Sequence, residues 1–248
     1  MSAILKHIRS LKEKGKKGFA ILIDPDAVPF EACPALADRI NQAGIDIVLI
    51  GGSLLINDNI RKVIPELKRL VKVPVILFPG NLLQLSPEAD AILFLSLISG
   101  RNPEMLIGNH VIAAPLLKQS GIEVLPTGYM LIDTGRTTAV HYMSNTQPIP
   151  YDKAEIAACT AMAGELLGLS LIYMDGGSGA EKTISTEMIS AVAGSIDLPL
   201  IVGGGIRTRK QAEAILKAGA DIIVVGNALE KDEQGQLFFE LPELIATF

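Results

Sequence analysis

A chain of 248 residues, about half of them apolar (49%) and none of them Trp, can fill one large aliphatic core and matches the roughly 250 residues of a single β/α barrel. A formal charge of −5 excludes a general basic field for nucleic acid but not a local anion site. Cys33 and Cys159 are too few for a disulfide framework or metal cluster, the basic amino-terminal stretch lacks the apolar core of a signal peptide, and the apolar run 89–98 is too short to cross a bilayer, so the expected setting is cytoplasmic.

The spacing of Ile4, Leu5, Ile8 and Leu11 predicts a leading helix over 4–14 that covers the bottom of a core. An apolar strand, 19–23, then runs into Asp24-Pro25-Asp26. A carboxylate just past a strand is placed for a metal or a substrate, and equally for an Asx-turn or helix cap. A helix over 34–43, a strand over 45–50 ending in Gly51-Gly52-Ser53, a helix over 59–70 and a strand over 75–78 follow at the spacing of β/α units.

The pattern then breaks. Residues 82–88, with Pro87 inside, are too few for an outer helix before the strand at 91–95. A barrel would lack most of its third helix here, opening a side entrance lined by Leu82, Leu83 and Leu85. A helix starting near Glu104, with Met105 on its apolar side, is expected to break or kink at Pro115. A fifth strand at 122–125 is extended or reshaped over 127–132. Residues 133–150 form a polar excursion, with a short hairpin as one option. A helix over 152–167 presents Ala154, Ala157, Ala158, Ala161 and Ala163 for close packing.

Three glycine-rich turns close the chain. Strands at 170–174, 198–202 and 221–225 end in Asp175-Gly176-Gly177-Ser178-Gly179, Gly203-Gly204-Gly205-Ile206-Arg207 and Gly226-Asn227. Glycine lets amides approach an anion closely, and a following helix amino terminus favours negative charge. Three such turns at successive strand ends predict a phosphate site on one face of a barrel. Lys182 and Arg207 are candidate anion partners or solvated side chains. The count is eight strands, seven with helical segments after them, which predicts a single closed (β/α)8 barrel over 1–248.

No HExxH, GxSxG or dinucleotide fingerprint is present. His7 is expected at the surface, His110 without a ligand partner and His141 exposed in the long loop, with a ligand contact as its alternative, while both cysteines are expected to pack as small apolar groups. What remains is Asp24 facing a phosphate cradle, which makes Mg²⁺ sensible because a hard cation takes carboxylate and phosphate oxygens together. Asp175 stands beside the first cradle turn, able to hold a substrate hydroxyl and draw off its proton, or to cap the turn.

Together the Asp24 strand, Gly51-Gly52-Ser53, Tyr173-Met174-Asp175-Gly176-Gly177-Ser178-Gly179, Gly203-Gly204-Gly205 and Gly226-Asn227 resemble the geranylgeranylglyceryl phosphate synthase family, which includes the PcrB-type heptaprenylglyceryl phosphate synthases. The resemblance spans nearly the whole chain. The glycine turns alone would suit other phosphate-binding barrels, including those of tryptophan and histidine biosynthesis. The resemblance implies Mg²⁺ at Asp24 and Ser53. It implies sn-glycerol 1-phosphate at Tyr173, Met174, Asp175, Gly176, Gly177, Ser178 and Gly179, at Gly204 and Gly205, and at Gly226 and Asn227. Asp175 stands where members commonly carry Glu, keeping the carboxylate with a shorter reach. The implied reaction is Mg²⁺-dependent transfer of the geranylgeranyl group of its diphosphate to the 3-hydroxyl of sn-glycerol 1-phosphate. Heptaprenyl transfer is the alternative. The family's barrel lacks a regular third helix. The branch resembled also implies a homo-oligomer above a dimer, with a hexamer as one option. No transmembrane segment is expected, and transient membrane contact is one option.

Overall fold

The computed structural model describes residues 3–226 and 236–248. Strands β1 (Gly18–Ile23), β2 (Ile47–Ile50), β3 (Val75–Leu77), β4 (Ala91–Leu97), β5 (Glu123–Leu131), β6 (Leu171–Asp175), β7 (Leu200–Gly203) and β8 (Ile222–Val225) pair in parallel in chain order, and β8 closes on β1. Alternation along each strand sorts the side chains into two layers. Ala20, Ile47, Leu49, Ile76, Leu93, Leu171 and Ile201 fill the barrel. Ile21, Val48, Ile50, Ile172 and Val202 face the outer helices.

Helix α1 (Ala3–Glu13) plugs the bottom with Leu5, Ile8 and Leu11, which join the interior layer. Its first amides, of Ile4 and Leu5, donate to the Glu123 carboxylate at 3.0 and 2.7 Å, a negative cap on the positive end of a helix. Asp221 ties the same end together. Its carboxylate accepts from the Leu200 amide and faces Lys12 and Lys17 at 3.5 and 3.7 Å.

The outer layer holds α2 (Cys33–Ala43), α3 (Ile60–Leu70), α4 (Asn109–Ser120), a short α5 (Ala139–Ser144), α6 (Ala154–Leu166), α7 (Thr186–Ala193), α8 (Arg209–Lys217) and α9 (Gln236–Ile245). Between β3 and β4 there is only a single 3₁₀ turn, Leu82–Gln84, so the third outer helix is missing as the spacing predicted. Two expectations are corrected. α4 runs unbroken across Pro115, and the irregularity comes earlier, as a π-helical turn at Glu104–Gly108. Val111, which loses its helical partner to Pro115, lies on the exposed side, open to water. The fifth strand is extended, as one of its two readings had it, into a single β5 of nine residues. The excursion before α6 holds α5 and a lone bridge between Ile132 and Ile149 rather than a hairpin.

Buried Gln84 replaces the missing helix as a clamp. Its amide nitrogen donates to the Gly52 carbonyl at 2.7 Å, and its amide oxygen accepts from the Gly80 and Gly52 N–H groups at 3.1 and 3.3 Å. Gln84→Ala strands these backbone groups. We expect a loss of about 1–3 kcal/mol, read as a lower denaturation midpoint with an unchanged slope. An unchanged midpoint would show that the clamp contributes nothing.

Candidate active site

An apolar cavity of about 280 Å³ opens at the carboxyl ends of the strands, the face that carries active sites in this architecture. Asp24, Gly52 and Ser53 line it at the ends of β1 and β2, and Asp175 and Ser178 at the end of β6. Between them the wall is greasy, with Leu82, Leu85, Phe94, Met105 and Ala113. The cavity lies where the third helix is absent. Of the leucines expected on its wall, Leu82 and Leu85 are there, whereas Leu83 projects into solvent.

Asp175 is a buried carboxylate with two donors. Its Oδ2 accepts from the Tyr129 hydroxyl at 2.5 Å and its Oδ1 from the Gly177 N–H at 2.7 Å. Burial pushes its pKa above the usual carboxylate range, against the Tyr129 and Gly177 hydrogen bonds and the nearby His141, which pull it down. Tyr129 belongs to an aromatic floor. Phe78 stacks on Tyr173 with centroids 5.1 Å apart and meets Tyr129 edge-on at 5.9 Å. Both tyrosine hydroxyls are pushed well above their ordinary pKa, by burial first and then by the Asp175 charge, and so stay protonated donors.

The cradle turns interlock. Gly176 N–H donates to the Gly203 carbonyl at 3.0 Å. Gly204, with φ +88°, packs so close that a Cβ would strike the Gly176 backbone. Gly177, with φ +81°, lies against the Thr138 hydroxyl in the same manner. These glycines are needed for loop-to-loop contact and not only for a ligand. The amides of Gly204 and Gly205 donate to no described residue. Helix α7 starts at Thr186, several residues past the first turn rather than directly at its end.

The other expected residues fall in different places. Tyr173 is buried in the barrel floor, whereas Met174 points outward into the layer beneath the helices, so its side chain serves the core. Gly226 follows β8, and Asn227 lies outside the described residues. Arg207 donates to the carbonyls of Ala180 and Glu181 and braces the loop after β6. Lys182 Nζ sits 3.4 Å from the centre of the Tyr151 ring. Asp24 forms the Asx-turn, its Oδ1 accepting from the Asp26 amide at 2.9 Å, and the residue also lines the cavity. Among the described residues no three His, Cys, Asp or Glu side chains cluster as a metal cage.

Tyr129 and Thr138 escaped the sequence reading, and His141 was misplaced by it. Tyr129, inside a strand, gave no signal beyond its apolar neighbours. Thr138 and His141 form a capping box on α5. Contrary to expectation His141 is buried, and its Nδ1 accepts from the Thr138 N–H at 2.9 Å, which leaves the ring proton on Nε2. Thr followed three residues later by a side chain that can accept was the available clue. His110 is also buried, with Nε2 3.1 Å from Ser96 Oγ. Cys33 is core as expected, but Cys159 is exposed.

A closed parallel β/α barrel with two carboxylates and an apolar wall on one cavity at its carboxyl-end face has the layout of a β/α-barrel enzyme. Residues 9–241 match the PcrB family. The geranylgeranylglyceryl phosphate synthase of Spirosoma linguale is 54% identical over 91% of this chain and 90% of its own. That of Thermococcus kodakarensis is 43% identical over 91% and 88%. The structure of (S)-3-O-geranylgeranylglyceryl phosphate synthase from Thermoplasma acidophilum in complex with sn-glycerol-1-phosphate superposes with a TM-score of 0.93, at 34% identity over the whole of both chains. The chain belongs to the PcrB family, among the geranylgeranylglyceryl phosphate synthases, and is a TIM-barrel prenyltransferase.

Burying the Asp175 charge costs stability. A carboxyl whose folded pKa is raised contributes its stability fully below the unfolded value and loses it as pH rises through the folded one. Asp175→Asn removes that penalty and can satisfy both neighbours, with its oxygen to Gly177 and its amide to Tyr129. Denaturant unfolding across pH should show the variant gaining on the wild type as pH rises from the acid side. A variant that loses ground with rising pH would contradict the buried charge.

Proposed function

We propose that the protein transfers the geranylgeranyl group from geranylgeranyl diphosphate to the 3-hydroxyl of sn-glycerol 1-phosphate, giving 3-O-geranylgeranylglyceryl 1-phosphate and diphosphate. The observation that carries this reading is the single cavity, lined at once by Asp24 and Ser53, by Asp175 and by a long apolar wall. The relative that carries sn-glycerol-1-phosphate supports the acceptor.

In this reading the amides of Gly204 and Gly205 hold the acceptor phosphate. The 3-hydroxyl then lies against Asp175, whose ionised carboxylate, steadied by Tyr129 and Gly177, takes its proton. The hydroxyl oxygen bonds to the allylic C1 as the bond from C1 to the diphosphate oxygen breaks and the electron pair leaves with diphosphate. The prenyl tail lies along Leu82, Leu85, Phe94 and Met105, each buried CH₂ contributing roughly 0.8 kcal/mol. Asp24 and Ser53 offer only oxygen donors, and few of them, which fits Mg²⁺, a cation that completes its shell with water and substrate phosphate. When bound, it would neutralise charge on the diphosphate.

The reading includes a cytoplasmic homo-oligomer. No helix among the described residues is long and apolar enough to cross a membrane. Of the small residues of α6, Ala154, Ala157, Ala158, Ala161 and Gly164 turn inward while Ala163 is exposed, and the outward large ones, Ile156 and Leu166, supply contact surface with Val111, Ile112 and Leu116 of α4. Light scattering over a range of protein concentrations should give more than a dimer. A stable monomer would refute the oligomer.

Purified protein given labelled sn-glycerol 1-phosphate and equal concentrations of C15, C20 and C35 diphosphates should make organic-extractable product, with kcat/KM highest for C20. Asp175→Asn should cut kcat by about 10²–10⁴-fold, and Asp24→Asn should abolish the response to Mg²⁺. No extractable product at any length would refute prenyl transfer, and a C35 preference would move the assignment to heptaprenyl transfer.

A further inference from the structure

Large apolar side chains stand in water on the cavity face of the barrel. Ile56 is 86% exposed, Leu83 84% and Tyr142 83%. Leu54 and Met143 are 53% and 40% exposed while also lining the cavity, so they mark where it reaches the surface. Ile56 and Leu83 sit beside that opening on one side, on the loops after β2 and β3, and Tyr142 on the other, on α5.

These tips are held out by built structure. Asp26 accepts from the amides of Ile56 and Asn57 at 2.6 and 3.2 Å, tying the β1 loop to the β2 loop. Gln84 ties the β2 loop to the β3 loop, and Gly80 packs so closely on Gly52 that a Cβ would strike its carbonyl. Polar side chains thus hold two loops in place with their apolar residues facing water.

We propose that this rim docks on the headgroup boundary of a lipid bilayer, and that the prenyl donor's tail passes from the bilayer into the cavity. The proposal rests on the prenyl-transfer reading, which gives the protein an amphiphilic donor. A few side chains on separate loops fall far short of the roughly 20–30 residues a side of a stable protein interface, and a second copy seated there would stopper the opening. A bilayer requires only a few inserted apolar side chains, with a tyrosine at headgroup depth. Asp58 and Arg61 on the same face pair at 3.1 Å and the chain is net acidic, so adsorption is hydrophobic and survives high salt.

The test is co-sedimentation of the full chain with vesicles of phosphatidylcholine containing a minor fraction of phosphatidylglycerol. The wild type should pellet at low and high salt alike. Ile56→Ser combined with Leu83→Ser, neither of which lines the cavity, should lower partition about tenfold or more and leave turnover on a water-soluble short-chain donor unchanged. Tyr142→Ser should weaken partition independently. A wild type that stays in the supernatant, a double variant that pellets equally, or binding lost in high salt would overturn the proposal. So would a smaller oligomer for the double variant in light scattering, which would give the rim to a second copy. Turnover on the soluble donor judges the prenyl-transfer reading by itself, whatever the vesicles show.

Discussion

The site depends on a carboxylate buried at the edge of an apolar cavity. Asp175 ends β6 with its side chain turned into the barrel, above a floor of Phe78, Tyr129 and Tyr173. A buried carboxylate must be hydrogen-bonded or neutralised. The Tyr129 hydroxyl and the Gly177 amide do the first, and a raised pKa brings the second closer. Gly177 can present its amide because its left-handed backbone lies against Thr138, and Thr138 is fixed by His141. The glycine turns and the capping box of α5 are therefore parts of one arrangement whose effect is to keep Asp175 buried, basic and fixed in direction.

The missing helix is the second half of that design. With only one 3₁₀ turn between β3 and β4, the barrel wall stays open beside the carboxylates, and the apolar surface a helix would have covered becomes the cavity wall. Without a clamp, such a gap would cost order. Gln84 supplies one by bonding backbone groups of two loops from a buried position. The opening and the site's rigidity thus come from the same short segment.

Much of this was legible in the sequence, because strand alternation and helical spacing are local signals. Eight strands, the plug helix and the short crossover follow from the positions of apolar residues, and the Asp24 and Asp175 strand ends from their neighbours. Contacts between distant segments were not legible. Nothing near Tyr129 announces that its hydroxyl meets a residue 46 positions away. Nor could the glycine turns tell ligand contact from loop packing, and here Gly176 and Gly177 serve packing while Gly204 combines it with an amide that donates to no described residue. Arg207, a plausible anion partner by position, is taken up by two carbonyls that only the fold brings near. Periodicity likewise placed Met174 among its neighbours without saying which layer it entered.

The pH dependence of Tyr129→Phe tests the central claim most directly. The Tyr129 hydrogen bond pulls the Asp175 pKa down against burial, so losing it must raise that pKa further. If Asp175 takes the acceptor's proton, kcat/KM rises with pH as the carboxyl ionises, and the acid limb of the profile should move to higher pH in the variant. An acid limb at the wild-type position, with the fold intact by circular dichroism, would contradict the role given to Asp175.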